Sequence, residues 1–359
     1  MKVIQVIPNL CMGGAETMCE TLTLELIKQG VDVKIVSLYN YQTPITQRLS
    51  RAGVEIEFLN KKGGMDLSII KKLKNIFIRE NPDVVHSHLG AQKYAMIAAK
   101  KARIPSRFHT VHSVADKELS RIDKILAKRF YKKHGVVPVA LSEMVQETVK
   151  NVYNLSLDSI PIIVNGINLS KCLKKSDYDF GDTIKVLHIG RFSPEKNHKG
   201  LIDAFEIFHR VFPNTILNLV GDGNTLEETK EYALEKGLKD AVCFLGMKDN
   251  VYEYINQADI FVLSSLYEGM PMTLIEAMGT GVPIVATNVG GVPNMLTNEK
   301  NALLTSVNAE EIAKALIAIS KDYELRQKLG GNALARSKDF SAEKMAVEYL
   351  KIYQRGLEC

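Results

Sequence analysis

The stretch SSLYEGMPMTLIEAMGTGVP, residues 264–283, contains two glutamates, Glu268 and Glu276, on either side of a predicted helix start. The residues before it, DIFVLSS (259–265), form a short apolar run that is typical of a buried strand. Glu268 therefore lies in the loop after a strand, and Glu276 lies within the following helix. Because ligands of open α/β sheets bind beyond the carboxyl ends of the strands, the stretch predicts a ligand site.

The loop between the two carboxylates is suited to an anion. Pro271 stands near the first helical position, where a missing N–H costs little. We expect six residues around the helix start to turn their backbones toward an anionic ligand: Gly269, Met270, Pro271, Met272, Thr273 and Leu274. Two carboxylates that accept hydrogen bonds from hydroxyls, with an anion between them, fit a nucleotide sugar. The alternative is a surface helix with two ordinary glutamates.

A second motif, HIGRFSPEKNHKG (188–200), places Arg191 and Lys196 after another predicted strand. Arginine offers a forked contact and lysine a point charge, so the two cations together predict a clamp for a diphosphate. The alternative is an exposed basic loop, which is common in proteins.

A third motif, PNLCMGGAETM (8–18), places Gly13 and Gly14 between the first strand and its helix. A glycine pair there permits a tight turn and a close approach of the backbone to a phosphate or a sugar. The motif is not GxGxxG, and no acidic residue ends the second strand, so NAD binding is disfavoured.

Strands and helices alternate along almost the whole chain, which predicts βαβ units and parallel sheets. The polar segment NLSKCLKKSDYDFGDT (168–183) interrupts this alternation, and IKVLHIGRF restarts it. We predict an α/β protein with two Rossmann-like, doubly wound domains facing a central cleft. The predicted boundaries are 1–168 with a returning C-terminal helix at 341–359, a linker at 169–183, and a second domain at 184–340.

Composition narrows the class of protein. The 46% hydrophobic and 24% charged content is that of a globular protein, and no apolar run is long enough to cross a membrane. Five scattered cysteines and a short apolar N-terminus predict a cytoplasmic protein without a signal peptide. Residues 1–168 hold 24 Lys+Arg and 15 Asp+Glu, net +9, which leaves −4 for the rest of the +5 chain. A basic first half suits a partner that carries phosphates.

Nine motifs, in order, resemble the retaining glycosyltransferases of family 4 (glycosyl transferases group 1), which have the GT-B fold. They are GGAE (13–16), DVVHSH (83–88), FHTVHS (108–113), IPIIVNGIN (160–168), IGRFSPEKN (189–197), VGDG (220–223), FLG (244–246), the Glu268/Glu276 pair and GVPIVATNVGG (281–291). The chain departs from the family pattern at Asn294, where glutamate is frequent.

The resemblance implies a role for each matched residue. Arg191 and Lys196 would hold the donor diphosphate, Glu268 the donor sugar and Glu276 the ribose. The resemblance also places residues 269–274 along the sugar and phosphate. A further set would complete the donor site: Gly14 at the phosphate, Gly246 and Met247 at the base, and His109 beside the sugar at the reaction centre.

The implied enzyme is a metal-independent retaining hexosyltransferase with no cofactor. Its donor would be a nucleotide-diphosphate sugar, a UDP-sugar rather than a GDP-sugar, that supplies a hexose or N-acetylhexosamine. Its acceptor would be a glycan or a polyprenyl-diphosphate-linked sugar of a bacterial surface or exopolysaccharide. The first domain would bind the acceptor and the second the donor. Two alternatives remain, a sugar-nucleotide epimerase on the same fold and a non-catalytic partner subunit.

Two further groups of residues have competing interpretations. His86, His88, His109 and His112 have the spacing of metal ligands, but no carboxylate motif accompanies them, and we expect no metal. The segment Arg121–Lys133, RIDKILAKRFYKK, predicts a basic amphipathic helix. It suits the anionic inner face of a membrane, whereas nucleic-acid binding lacks a supporting pattern. The alternative is an ordinary solvated helix face.

Overall fold

The computed structural model describes residues 1–358 and divides the chain into two compact units. One unit comprises residues 1–166 and 342–359, and the other comprises residues 167–341. Each contains a parallel six-stranded sheet, as the alternating sequence pattern predicts.

The sheet of the first unit has the strand order β3-β2-β1-β4-β5-β6. Its strands are β1 (Lys2–Ile7), β2 (Asp32–Ser37), β3 (Ile56–Phe58), β4 (Val84–His88), β5 (Ser106–Val111) and β6 (Val136–Ala140). Its helices are α1 (Gly14–Lys28), α2 (Pro44–Arg51), α3 (Ser68–Glu80), α4 (Gln92–Lys101), α5 (Ala115–Glu118), α6 (Arg121–Lys133) and α7 (Glu143–Tyr153). The central strands are buried on both faces because helices cover them, which explains their continuous apolar runs.

The second unit repeats this architecture with the order β12-β11-β10-β7-β8-β9. Its strands are β7 (Ile184–Ile189), β8 (Thr215–Val220), β9 (Val242–Gly246), β10 (Ile260–Leu263), β11 (Ile284–Thr287) and β12 (Leu303–Thr305). Its helices are α8 (His198–Val211), α9 (Leu226–Glu235), α10 (Tyr252–Gln257), α11 (Met272–Thr280), α12 (Val292–Met295), α13 (Ala309–Lys321) and α14 (Tyr323–Ser337). Short 3₁₀ turns occupy Leu89–Ala91, Leu157–Ser159, Leu169–Lys171, Pro194–Lys196 and Lys338–Phe340.

The last helix, α15 (Ala342–Glu358), packs on the first unit against α1 and β5, as predicted. Tyr349 and Tyr353 of this helix are fully buried. The Tyr353 hydroxyl lies 2.7 Å from Nδ1 of His86, and the Tyr349 hydroxyl lies 2.8 Å from Thr110 Oγ1. The buried face of this helix therefore carries two tyrosine hydroxyls that contact polar side chains of the sheet.

The strand order places one crevice in each unit. In both sheets the chain starts near the middle, winds to one edge, and then returns to the other side of the first strand. The reversal lies between β1 and β4 in the first sheet and between β7 and β10 in the second. Ligands of doubly wound sheets bind at such switch points.

The segment that we predicted as a linker, 169–183, belongs to the second unit. The Lys175 N–H donates to the Thr280 carbonyl at 2.7 Å, and Arg326 Nε donates to the Tyr178 carbonyl at 2.8 Å. The segment lacks apolar periodicity because it has an irregular backbone that polar contacts hold in place. The boundary of the units falls instead at 166/167.

Candidate active site

The switch point of the second sheet brings together the two motifs that we singled out first. Lys196 follows β7 and Glu268 follows β10, and these strands are hydrogen-bonded neighbours. Lys196 Nζ donates to Glu268 Oε1 at 2.6 Å, and the two side chains are only 19% and 9% exposed. The sequence placed both residues at strand ends but did not predict that they form an ion pair.

The turn that carries Lys196 is fixed to the loop after β10. Asn197 adopts the left-handed conformation (φ 54°) and caps α8, with its Oδ1 accepting from the Gly200 N–H. Its Nδ2 donates to the Ser264 carbonyl at 3.2 Å, and Ser264 Oγ donates to the Lys196 carbonyl at 3.0 Å. These bonds hold the backbone of Lys196 against the loop that carries Glu268.

Two hydrogen bonds that the sequence did not predict hold Glu268 in place. Ser265 Oγ donates to Glu268 Oε1 at 2.6 Å. The Gly291 N–H donates to the Glu268 carbonyl at 3.1 Å, and neighbouring Gly290 has φ +56°. A Cβ on Gly290 would lie 1.9 Å from the Glu268 carbonyl oxygen. The double glycine in NVGG was the available signal, since only glycine permits this approach.

Arg191, the second cation of the predicted clamp, lies exposed in the loop after β7. The loop packs on the VGDG segment: the Phe192 N–H donates to the Asp222 carbonyl at 2.9 Å. A Cβ on Gly221 (φ +146°) would lie 2.0 Å from the Gly190 carbonyl oxygen. The structure therefore fixes the backbone around Arg191 and leaves its guanidinium toward solvent.

Glu276 is the fifth residue of α11 and is only 6% exposed. Burial raises the pKa of its carboxyl to about 8, although Lys171 and a hydrogen bond from Tyr252 act in the opposite direction. Glu276 thus lies near the start of α11, where we expected it to contact a ribose hydroxyl. Its carboxyl is also largely uncharged at pH 7, which the sequence did not predict.

The start of α11 differs in detail from the prediction. Pro271 is the residue before the helix, with Met272 the first helical residue. The Leu274 N–H is already engaged, because it donates to the Pro271 carbonyl at 3.2 Å. The prediction that the Leu274 N–H is available to a ligand is therefore wrong. The roles of Gly269, Met270 and Thr273 toward a ligand stay predictions.

The expected base-binding residues lie at the end of β9. Gly246 has φ +70° and its carbonyl accepts from the Gly221 N–H at 3.0 Å, while Met247 is 56% exposed. The contact joins this strand end to the VGDG loop. Their role toward a base stays a prediction.

In the first unit, Gly14 begins α1 and Gly13 precedes it. Gly13 has φ −171°, an extended conformation open to any residue, so its backbone conformation does not itself require glycine. A close approach of a phosphate to Gly14 at the helix start stays a prediction.

His109 occupies the carboxyl-end half of β5 and is fully buried. Its Nε2 lies 3.6 Å from Oε1 of Glu118, the last residue of α5. Its Nδ1 lies 3.0 Å from the Ser87 carbonyl oxygen. Sequence reasoning did not identify Glu118, because nothing in the spacing indicates that α5 folds onto β5.

The other three histidines form a polar cluster beside it. His86 Nε2 contacts Thr110 Oγ1 at 2.8 Å, and His88 contacts Gln5 Oε1 at 2.9 Å and His112 Nε2 at 3.0 Å. Burial lowers the pKa of His86 and His88 well below the usual value and that of His112 to about 3. These neutral rings have protein partners and belong to the hydrogen-bond network of the first unit.

A group of carboxylates elsewhere in the first unit encloses a lysine. Within residues 1–358, only Glu55, Glu57 and Glu80 bring three potential ligand atoms together at metal-binding separation. Lys34 Nζ lies 2.5, 2.8 and 3.0 Å from their oxygens. The lysine ammonium therefore pairs with all three carboxylates. Within residues 1–358, the four histidines do not form a group of three ligand atoms at that separation.

The basic helix α6 divides its apolar residues between core and solvent. Phe130 and Ala127 are buried, whereas Ile122 and Ile125 are 66% and 67% exposed. Lys128 and Lys132 are also exposed. The helix thus buries only part of its apolar side chains, and two isoleucines project beside basic side chains. Within residues 1–358, no helix is both long enough and apolar enough to cross a bilayer.

Two family models match consecutive parts of the chain. Residues 12–171 match Glycosyltransferase Family 4, and residues 173–336 match Glycosyl transferases group 1. The chain belongs to glycosyltransferase family 4. This family 4 protein is accordingly a glycosyltransferase enzyme with the GT-B fold, as its sequence motifs and two six-stranded sheets indicated.

Individual relatives agree with this assignment. The protein is 28% identical over 285 residues to an Escherichia coli UDP-Gal:alpha-D-GlcNAc-diphosphoundecaprenol alpha-1,3-galactosyltransferase, covering 72% of this chain and 73% of that one. It is 26% identical to the Bacillus anthracis N-acetyl-alpha-D-glucosaminyl L-malate synthase, covering 80% and 78%. Among solved structures, Anabaena Alr3699/HepE in complex with UDP-glucose superposes with a TM-score of 0.86 at 20% identity, covering 99% and 100%.

Proposed function

We propose that this protein is a retaining glycosyltransferase that moves a hexose or N-acetylhexosamine from a UDP-sugar to a glycan or lipid-linked acceptor. The observation that carries the proposal is the Lys196–Glu268 pair at the switch point of the second sheet, with Glu276 buried in the next helix. A cation for a diphosphate and carboxylates for sugar and ribose hydroxyls are thereby held at the carboxyl ends of two neighbouring strands and in the helix that follows one of them.

Each residue has a distinct task in the proposed reaction. Arg191 and Lys196 bind the diphosphate and stabilise the negative charge that develops as the bond between sugar and phosphate breaks. Glu268 accepts hydrogen bonds from sugar hydroxyls, and Glu276 binds the ribose. Because Glu268 is already paired with Lys196 and Ser265, it is better suited to orient the sugar than to attack it. The acceptor hydroxyl then forms the new bond on the face from which the diphosphate departs, and its proton passes to the departing phosphate oxygen.

The remaining donor contacts follow the family pattern. Gly246 and Met247 hold the base, Gly14 approaches the phosphate and His109 lies beside the sugar. UDP is favoured because the E. coli relative is named for UDP-Gal and the Anabaena structure contains UDP-glucose. The positive charges of Arg191 and Lys196 perform the role that a metal ion serves in other transferases, and the proposed enzyme is therefore metal-independent.

The acceptor is proposed to be presented at an anionic membrane. The E. coli relative is named for a diphosphoundecaprenol-linked acceptor. The first half of this chain has net charge +9, and α6 exposes two isoleucines beside basic residues. Such a helix face inserts apolar side chains between lipid headgroups while its lysines contact anionic lipid.

A panel of nucleotide sugars tests the proposal. Each donor is scored by thermal shift and then incubated with a polyprenyl-diphosphate-linked acceptor, with transfer detected by mass and the configurations of product and sugar nucleotide assigned by proton NMR. A donor at 100-fold its dissociation constant adds about 2.7 kcal/mol of stability. Transfer with retention at the anomeric carbon supports the proposal. Interconversion of the sugar nucleotide without transfer would identify an epimerase instead, and donor stabilisation by none of the panel would contradict the donor site.

A further inference from the structure

The pair formed by His109 and Glu118 is incompletely hydrogen-bonded. Nε2 of His109 and Oε1 of Glu118 face each other at 3.6 Å, and neither has a hydrogen-bond partner within residues 1–358. Both side chains are buried, with 0% and 4% of their surface exposed. Buried polar atoms without partners are costly and uncommon, so this arrangement requires a physical explanation.

The contacts of the opposite ring nitrogen locate one proton. Nδ1 of His109 lies 3.0 Å from the carbonyl oxygen of Ser87, which only accepts hydrogen bonds. Ser87 Oγ, also 3.0 Å from Nδ1, directs its own proton to the Phe108 carbonyl at 3.3 Å. Nδ1 therefore carries a proton, and in a neutral ring Nε2 would be an acceptor facing a second acceptor, Oε1. A further proton on Nε2 converts this repulsive contact into an attractive one.

The surroundings favour that proton on the imidazole, with the carboxylate ionised. His86 and His88 on β4 and His112 after β5 have lowered pKa values and contribute no competing positive charge. The Ser113 N–H donates to Oε2 of Glu118 at 3.4 Å, which favours the charged carboxylate.

The tyrosines around the Glu118 carboxylate likewise leave His109 as its pairing partner. Tyr131 of α6 and Tyr153 of α7 have raised pKa values, chiefly through burial and partly through the negative charge of Glu118. Both therefore stay neutral and do not compete with His109 for pairing.

We propose that Glu118 is a positioning residue for His109: it keeps a proton on Nε2 and so makes His109 a charged hydrogen-bond donor in the donor-sugar subsite. The inference rests on the proposed function, since the placement of His109 beside the sugar belongs to it. The separation of 3.6 Å exceeds that of a charge-assisted hydrogen bond, so the N–H is not consumed by Glu118. A sugar oxygen accepts it while Glu118 pairs with the ring electrostatically.

Nitrogen NMR of the free protein tests the proton without requiring any donor. The chain has eight histidines, and ¹⁵N-histidine labelling with a His109→Gln variant identifies the signals of this ring. At pH 7 we expect both His109 nitrogens to be protonated in the wild type and only Nδ1 in Glu118→Gln. A neutral ring in the wild type, or an unchanged ring in Glu118→Gln, would overturn the proposal.

Kinetics with the donor found active test the consequence. Glu118→Gln should lower kcat by about 10- to 100-fold, the loss expected for a charged hydrogen bond, while the donor KM changes by less than about threefold. Glu118→Asp should recover a large part of kcat because it retains the charge. The matched control is Asp116→Asn, an exposed carboxylate of the same short helix, which should keep wild-type kinetics.

The two readouts separate the inference from the function on which it rests. A protonated His109 that depends on Glu118, together with no transfer from any donor, contradicts the proposed function and leaves the proton assignment standing. Transfer by the wild type together with an unchanged kcat in Glu118→Gln overturns the positioning role. Thermal unfolding of each variant excludes loss of folding as the cause of a lower kcat.

Discussion

Lys196 and Glu268 form an ion pair of 2.6 Å although 72 residues separate them in the chain. The cation proposed to bind the diphosphate thus also fixes the carboxylate proposed to bind the sugar. Removing either partner leaves the other in a largely buried position without its counter-charge. The two residues are therefore expected to act as one unit, and Lys196→Ala combined with Glu268→Gln should cost less than the sum of the single changes.

Loss of the clamp should abolish most transfer. Lys196→Ala and Arg191→Ala each remove a charge that stabilises the departing diphosphate, at a cost of about 2–4 kcal/mol in the transition state, or tens to several hundredfold in kcat. The measurement is steady-state transfer with the active donor. Lys199→Ala is the control, because its lysine makes an exposed ion pair with Glu228 on the neighbouring helix. Near-normal turnover in either clamp variant would contradict the assignment.

The buried carboxyl of Glu276 should make stability depend on pH. Its pKa is raised to about 8 in the folded protein by burial, against an ordinary value of 4.5. Between these values the folded state binds more protons than the unfolded state, so stability falls as pH rises, by at most about 1.4 kcal/mol per pH unit from this group. Below pH 4.5 and above about pH 8 the contribution is constant.

Urea unfolding at pH 5, 7 and 9 measures this effect in the wild type and in Glu276→Gln. The variant carries no ionisable group at this position, so its stability relative to the wild type should rise from pH 5 to pH 9. A difference that stays constant with pH would show that the carboxyl titrates normally in the folded protein.

Gly290→Ala should destabilise the fold and displace Glu268. Its backbone has φ +56°, and the added Cβ would lie 1.9 Å from the Glu268 carbonyl oxygen, so we expect a loss of about 2–4 kcal/mol together with lower transfer. Gly331→Ala is the matched control. It lies in helix α14 with nothing within 4 Å of the new Cβ, and it should be neutral or stabilising by up to about 1 kcal/mol. Similar stability of the two variants would contradict the close packing.

Transfer should persist in EDTA. Arg191 and Lys196 provide the positive charge at the diphosphate, so chelation removes nothing that the proposed reaction requires. The assay compares initial rates with and without excess chelator. A rate that is lost to EDTA and restored by manganese would refute the metal-independent reaction.

The α6 surface should bind anionic lipid and release it in salt. Each basic residue near an anionic surface contributes about 1 kcal/mol, and the attraction is screened within roughly 8–10 Å at 0.10–0.15 M salt. Co-sedimentation with anionic and neutral vesicles should separate the wild type from a Lys124/Lys128/Lys132→Glu variant. A second variant, Ile122/Ile125→Ser, tests the two exposed isoleucines.

The control for charge alone is Lys314/Lys321/Lys328→Glu, which makes the same change on exposed positions of the second unit. It should sediment with anionic vesicles as the wild type does. Equal binding of the wild type to both lipids, or binding to neither, would discard the membrane surface and favour a soluble acceptor.

Local patterns in the sequence determined which residues reach the ends of strands. Apolar runs and helical periodicity identified the alternating elements, and they placed Glu268, Arg191 and Lys196 at carboxyl ends because those assignments depend on near neighbours in the chain. The same patterns could not identify the unit boundary at 166/167, since residues 169–183 are held by polar contacts with distant residues such as Thr280 and Arg326.

Only the tertiary structure decided which of these residues meet. Strand order is set by packing of whole βαβ units, and that order brings Lys196 to Glu268 across β7 and β10 and folds Glu118 onto His109. It likewise left Ile122 and Ile125 exposed on a helix that the sequence predicted only as amphipathic. Periodicity reports the faces of one element, whereas contacts and protonation depend on which other elements cover those faces.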